Sequence, residues 1–168
     1  MYYYDGSRYK VKVLSKNGRA LAKQLVIFRI NKKNYKVKSN SKGIASLKIP
    51  YTVKPGTYSI WAKYAGLSVK NKVIVKQVLS SKKTVRVRKY AKKLVLKASL
   101  RNGKKALKNK LIRFKFKGKT YKAKTNLKGL AKVTLKRKVT RKLKQGKQYT
   151  VSIIYLKDII KTKVKVKR

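Results

Sequence analysis

The chain has no cysteine, no histidine and only two acidic residues, Asp5 and Asp158. Without cysteine there is no disulfide framework, a state compatible with either side of a membrane. Without histidine and cysteine the usual metal ligands and nucleophile–base pairs cannot be assembled. Acid–base work by paired carboxylates needs two acids in one place. Asp5 falls in the opening turn of the first half and Asp158 at the tip of the last hairpin of the second, so they are expected in different domains. The same scarcity leaves too few oxygen ligands for a calcium cage. No glycine-rich phosphate loop occurs, and a Ser–Lys pair is unspecific in a chain this rich in lysine. The expectation is a non-enzyme with no cofactor and no metal.

Two further absences concern location. No apolar run reaches the length of a membrane span. The start, Met1-Tyr2-Tyr3-Tyr4-Asp5-Gly6, has no apolar core segment, so no signal peptide is visible. The chain is then either a protein that stays inside the cell or a piece of a longer precursor. Glutamate is also missing and alanine is modest, which removes two strong helix formers, while twelve tyrosines and many Val, Ile and Leu favour strands.

What is present in excess is positive charge. Lys and Arg total 52, giving a net charge of +50. Any β protein needs polar outward faces, which accounts for many lysines but not for the missing acids, because ordinary surfaces mix both signs. Such an excess attracts polyanions and strains the compact state by self-repulsion.

The sequence repeats itself once. Tyr9–Val13 leading to Asn17-Gly18 matches Leu94–Ala98 leading to Asn102-Gly103. Leu25–Phe28 matches Leu111–Phe114, Tyr35–Lys38 matches Tyr121–Lys124, and Asn40–Ala45 matches Asn126–Ala131. Gly56 and Tyr58 match Gly146 and Tyr149, and Lys70–Val73 matches Lys161–Val164. A period of roughly 85 to 90 residues is the size of one small sandwich domain, not of a solenoid unit. Gln77–Lys83 between the copies reads as a linker, placing the domains at residues 1–79 and 80–168.

Within each copy, apolar and basic residues alternate: Val11 and Val13 with Lys10 and Lys12, Val85 and Val87 with Arg86 and Arg88, Phe114 and Phe116 with Arg113 and Lys115, Val164 and Val166 with Lys163 and Lys165. A period of two marks a strand with one buried face and sends the lysines to the wet face. Asn17-Gly18, Asn102-Gly103, Lys32-Lys33, Gly118-Lys119 and Ala65-Gly66 are read as turns, and Pro55-Gly56 as the centre of a type II turn. Asn40 and Asn126 are read as Asx-type caps of their Gly turns. Copy two has about seven strands, as an immunoglobulin-like sandwich requires. Copy one lacks a counterpart of Thr84–Arg88, with Tyr2–Tyr4 as a partial substitute, so the numbered chain is read as beginning inside a module. The predicted fold is all-β, with two tandem immunoglobulin-like β-sandwich domains. Arg137–Lys144 is either one helical turn or an irregular loop.

Tyr3-Tyr4-Asp5-Gly6-Ser7-Arg8-Tyr9, Asn17-Gly18, Phe28, Ser39–Ala45 and Pro55–Ala62 together resemble the repeat modules of adhesin-like surface proteins of methanogenic archaea. The second copy, through Lys92–Leu94, Leu100–Lys104, Phe114–Tyr121, Asn126–Gly129 and Lys142–Lys147, is similar to the lysine-rich terminal module of such proteins. The resemblance covers nearly the whole chain and is specific as a concatenation. It implies tandem Ig-like repeats at the cell surface, acting as stalks or touching other cells, with this chain a C-terminal fragment or a short member. Members typically carry a signal sequence and many more repeats, and their charge is less extreme.

One basic cluster is specific to copy two: Lys136, Arg137, Lys138, Arg141, Lys142 and Lys144, where copy one has only Pro50–Lys54. It reads either as a loop binding phosphate or carboxylate polymers or as a solvated loop. Alternation leaves open which face Trp61 occupies, and it is read as core or half-buried packing rather than a ligand platform. The expected partners are anionic cell-wall or cell-surface polymers, and other cells. The alternative is nonspecific nucleic-acid binding, which almost any protein of this charge shows at low salt. Lysines far outnumber arginines, which argues against base-specific readout.

Overall fold

The computed structural model describes residues 1–167. The chain divides into two compact units, Met1–Lys76 and Gln77–Arg168, each an immunoglobulin-like sandwich of two facing sheets.

In unit 1, β1 (Arg8–Lys12) pairs antiparallel with β4 (Ile44–Lys48). The facing sheet runs β3 (Lys33–Lys38), β2 (Leu25–Ile30), β5 (Gly56–Tyr64), β6 (Leu67–Val75), all antiparallel. Strand alternation decides which residues meet between the sheets. Val26, Phe28 and Ile30 of β2 are buried, with Ile60 and Ala62 of β5 and Ala45 and Leu47 of β4. Tyr9 of β1 crosses the gap edge-on to Phe28, ring centroids 5.9 Å apart.

Unit 2 repeats the plan with more strands. One sheet joins β10 (Lys105–Ala106), β9 (Lys93–Asn102) and β13 (Leu130–Lys136), and β7 (Leu79–Ser80) also pairs with β9. The other runs β12 (Lys119–Lys124), β11 (Leu111–Phe116), β14 (Gln148–Tyr155), β15 (Asp158–Lys167), β8 (Thr84–Arg88), with β8 parallel to β15. Phe114, Phe116, Ile112, Val151, Ile153 and Val164 from this sheet meet Leu94, Leu96, Leu100 and Leu135 from the other. Each such side chain contributes about 1.5–3 kcal/mol by leaving water. Unit 1 has only a trace of the β8 strand: Tyr2 makes a single parallel bridge to Lys76, in the direction in which β8 runs beside β15.

The repeat extends to individual hydrogen bonds. Asn40 Oδ1 accepts from the Lys42 and Ile44 amides, and Asn126 Oδ1 accepts from those of Lys128 and Leu130, all at 3.0 Å. Both asparagines are therefore Asx caps, as read from the sequence. Ser39 Oγ donates to Leu21 O and accepts from the Gln24 amide, and Thr125 Oγ1 does the same with Leu107 O and the Lys110 amide.

Gly43 and Gly129 close these turns at φ +72°, where an added Cβ would lie 2.6 Å from Val13 O and Leu100 O respectively. The positive φ favours glycine, and the approach to backbone demands it. Gly129→Ala should destabilise unit 2 by about 3 kcal/mol. Gly18→Ala, whose Cβ would meet nothing within 4 Å, should lose only about 1–2 kcal/mol from the φ change. Urea titration of both variants checks this.

Four readings from the sequence change. The turns read at Lys32-Lys33 and Gly118-Lys119 sit one residue earlier, at Asn31-Lys32 and Lys117-Gly118, because all four residues take positive φ, as a type I′ turn requires. Gly56 opens β5 opposite Val75, so Pro55-Gly56 is a strand entry; the turn before it is closed by the Val53 amide on Pro50 O at 3.0 Å. Gln77–Lys83 is not a free linker, since Val78 and Leu79 are buried in unit 2 and Leu79–Ser80 is strand. Asp158 is not on an exposed tip. It is the first residue of β15, shares the inward parity of Thr162, Val164 and Val166, and is 0% exposed.

Candidate polyanion-binding site

Arg137–Thr140 forms a single helical turn, α1, directly after β13. Two buried residues fix it. Thr140 Oγ1 donates to Ala91 O at 2.6 Å, and Leu143, 1% exposed, plugs the chain back into the core. The Arg141, Lys142 and Leu143 amides close on Arg137, Val139 and Thr140 carbonyls. The chain between these anchors bulges outward, and Lys136, Arg137, Lys138, Arg141, Lys142 and Lys144 are all exposed.

Lys136, Lys138, Arg141 and Lys142 line one surface depression, together with Lys117 and Lys119 from the β11–β12 hairpin and the ring of Tyr121. Arg137 and Lys144 lie outside it. Lys117 reaches toward the bulge, its Nζ donating to Lys142 O at 3.4 Å and standing 4.8 Å from the Tyr149 ring centroid. Tyr149 in turn accepts from the Lys144 amide at 2.9 Å. The six ammonium and guanidinium groups in this depression have no carboxylate among its lining residues. No lining carboxylate offsets their mutual repulsion, and an anion bridging several of them removes it.

Lys117 and Lys119 escape a reading of the sequence because they stand some twenty positions upstream of the bulge, in an ordinary hairpin. The alternation of Phe114 and Phe116 with Lys115 and Lys117 is the available signal. It puts Lys117 on a wet face but not beside α1.

The two carboxylates serve structure. Asp5 accepts from the Tyr2 and Ser7 amides, both at 2.8 Å. Partial burial pushes its pKa up, but the Ser7 and Tyr2 hydrogen bonds and the N-terminal charge outweigh this and leave it below the ordinary value. A carboxyl with a depressed folded pKa stabilises above its unfolded pKa, and that contribution is lost as pH falls through the folded value. Unit 1 should therefore weaken in acid below the usual carboxylate range, and Asp5→Asn should flatten that dependence. Thermal melts followed by the emission of Trp61, the sole tryptophan, check it. Asp158 behaves oppositely: burial raises its pKa despite donors from Leu79, Val78 and Gln77.

No protein-family model and no curated protein matches the chain. Its structure is similar to the D0-D1 domain of intimin, at 24% identity over 95% of this chain and 89% of that one, with a TM-score of 0.36. It is similar too to invasin, a bacterial integrin-binding protein, at 13% identity over 95% of this chain and 35% of that one, TM-score 0.42. The titin I9-I11 tandem matches at 11% identity over 95% of this chain and 59% of that one, TM-score 0.42. At these identities the likeness concerns the fold, which rests here on the strand pairing itself. Among the described residues no helix is long and apolar enough to cross a membrane.

Proposed function

We propose that the protein is a non-catalytic, adhesin-like module of the cell surface that holds anionic cell-wall or surface polymers by electrostatics, through the depression at α1. The observation that carries this reading is the convergence of Lys117, Lys119, Lys136, Lys138, Arg141 and Lys142 on one concave surface with no acid lining it. Lysine suits the task, because a compact, strongly hydrated charge on a flexible stem meets anions of varied geometry without demanding one bidentate fit. The surface placement draws on the module-by-module resemblance to archaeal adhesin-like proteins, and the tandem of two β-sandwiches agrees with a stalk-like role.

The test is co-sedimentation with isolated anionic cell walls at about 150 mM salt, where screening falls off over about 8 Å. The intact chain should pellet with the walls, and a variant with Lys136, Lys138, Arg141 and Lys142 changed to Gln should pellet far less. Failure of the intact chain to pellet, combined with DNA binding that persists at the same salt, would favour the nucleic-acid alternative.

A further inference from the structure

The outer face of the four-stranded sheet of unit 1 carries one cross-strand row of Asn34, Arg29, Trp61 and Lys70, and the adjacent row is Lys36, Ile27, Lys63 and Ser68. Ile60 and Ala62, on either side of Trp61 in β5, point into the core, so the half-buried indole lies on the solvent side. Lys70 Nζ stands 4.9 Å from its ring centroid. Unit 2 builds the same row without an aromatic: Thr120, Lys115, Ser152 and Lys161. Since Leu25–Phe28 corresponds to Leu111–Phe114 and Lys70–Val73 to Lys161–Val164, Ser152 occupies the place of Trp61. The fold thus forms this row with a serine at its centre. In unit 1 a flat apolar ring stands on a cationic face, on the side of the sheet away from the core.

We infer that this row of unit 1 binds an acidic polysaccharide: the C–H face of a sugar ring stacks on the Trp61 indole, and carboxylates of that sugar and its neighbours pair with Arg29, Lys63 and Lys70. The inference rests on the polyanion-binding reading and adds to it a second site and a ligand class. Adjacent strands lie about 4.8 Å apart, so Arg29 and Lys70 flank the indole at the distance that groups on either edge of one stacked ring require. Lys70 covers the ring in the free protein through a cation–π contact of modest strength, and a carboxylate draws it aside as the sugar takes its place. A single-stranded nucleic acid fits less well. It stacks successive bases on successive aromatics, whereas the strands of this face offer Thr57, Ser59 and Lys63 along β5 and Lys72 on β6 beside one indole.

Trp61 is the sole tryptophan, so its emission reports on this site alone. At about 150 mM salt, polygalacturonate should give a saturable blue shift as the indole leaves water, and the neutral polymer dextran should give none. Trp61→Ala should weaken polygalacturonate binding about tenfold, the loss of one stacking contact, with Trp61→Phe intermediate. Binding of polygalacturonate with no emission change and no effect of Trp61→Ala would overturn the site while sparing the polyanion reading. So would failure to bind polygalacturonate by a chain that still pellets with walls; failure of both would sink both. A larger shift with an oligothymidylate than with polygalacturonate would assign the platform to nucleic acid and overturn the inference.

Discussion

Raising monovalent salt from about 50 to about 200 mM should weaken binding to a polymer of DNA-like charge density by about a thousandfold, the effect of releasing counterions from six contacts. Six is the number of cations that converge at α1 and the β11–β12 hairpin. The magnitude also separates a local site from diffuse attraction. Changing Lys136, Lys138, Arg141 and Lys142 to Gln removes four of 52 basic residues. If the whole surface binds uniformly, that change is minor. If the depression binds, the slope of log affinity against log salt should fall by about three to four. Fluorescence anisotropy of a labelled polymer across a salt series reads the slope directly, and an unchanged slope in the variant would mean that the depression is not the site.

Asp158→Ala should destabilise unit 2 by about 3–5 kcal/mol, because two buried amides lose their acceptor and each unmet buried donor is worth about 1–3 kcal/mol. The carboxylate Oδ2 accepts from the Val78 and Leu79 amides at 2.9 and 3.0 Å, and Oδ1 accepts from Gln77 Nε2 at 3.2 Å. These bonds seat the first strand of unit 2 against the start of its last. Asp158→Asn keeps an acceptor oxygen for both amides and should restore most of the loss. Hydrogen exchange at Val78 and Leu79 is the matching local measurement, with fast exchange expected in the alanine variant only. The pH dependence follows from burial. A carboxyl whose pKa is higher folded than unfolded binds its proton more tightly in the fold, so its stabilising contribution is full below the unfolded value and is lost as pH rises through the folded one. The Asp158→Asn variant has no such proton to lose. Raising the pH across that window should therefore move the difference in melting temperature between the two proteins in favour of Asp158→Asn.

Much of this architecture is legible because the chain repeats itself and alternates strictly. Leu111–Phe116 shows the burial pattern its alternation predicts, one residue in and one out. The Asn40 and Asn126 caps can be read from spacing alone. Pairing partners cannot, because alternation states which face a residue takes and not which strand lies beside it. Leu79–Ser80 is too short a strand to show a period, so Gln77–Lys83 looks like a connector although Val78 and Leu79 belong to a core. Asp158 misleads by residue type. Counting by twos from Val164 through Thr162 and Ile160 lands on it as an inward position, but a lone acid beside a turn reads as exposed. At the candidate site, Lys136–Lys144 is visible as a contiguous run. Lys117 and Lys119 join it only through the sandwich, which brings the β11–β12 turn to the end of β13.

Mapping backbone amide shifts while titrating the intact protein with a soluble anionic wall polymer at about 150 mM salt tests the central claim most directly. Shifts confined to residues 117–121 and 136–142, together with the strands around Trp61, are the predicted result. Small shifts spread over the lysines of both units in proportion to their exposure would contradict it.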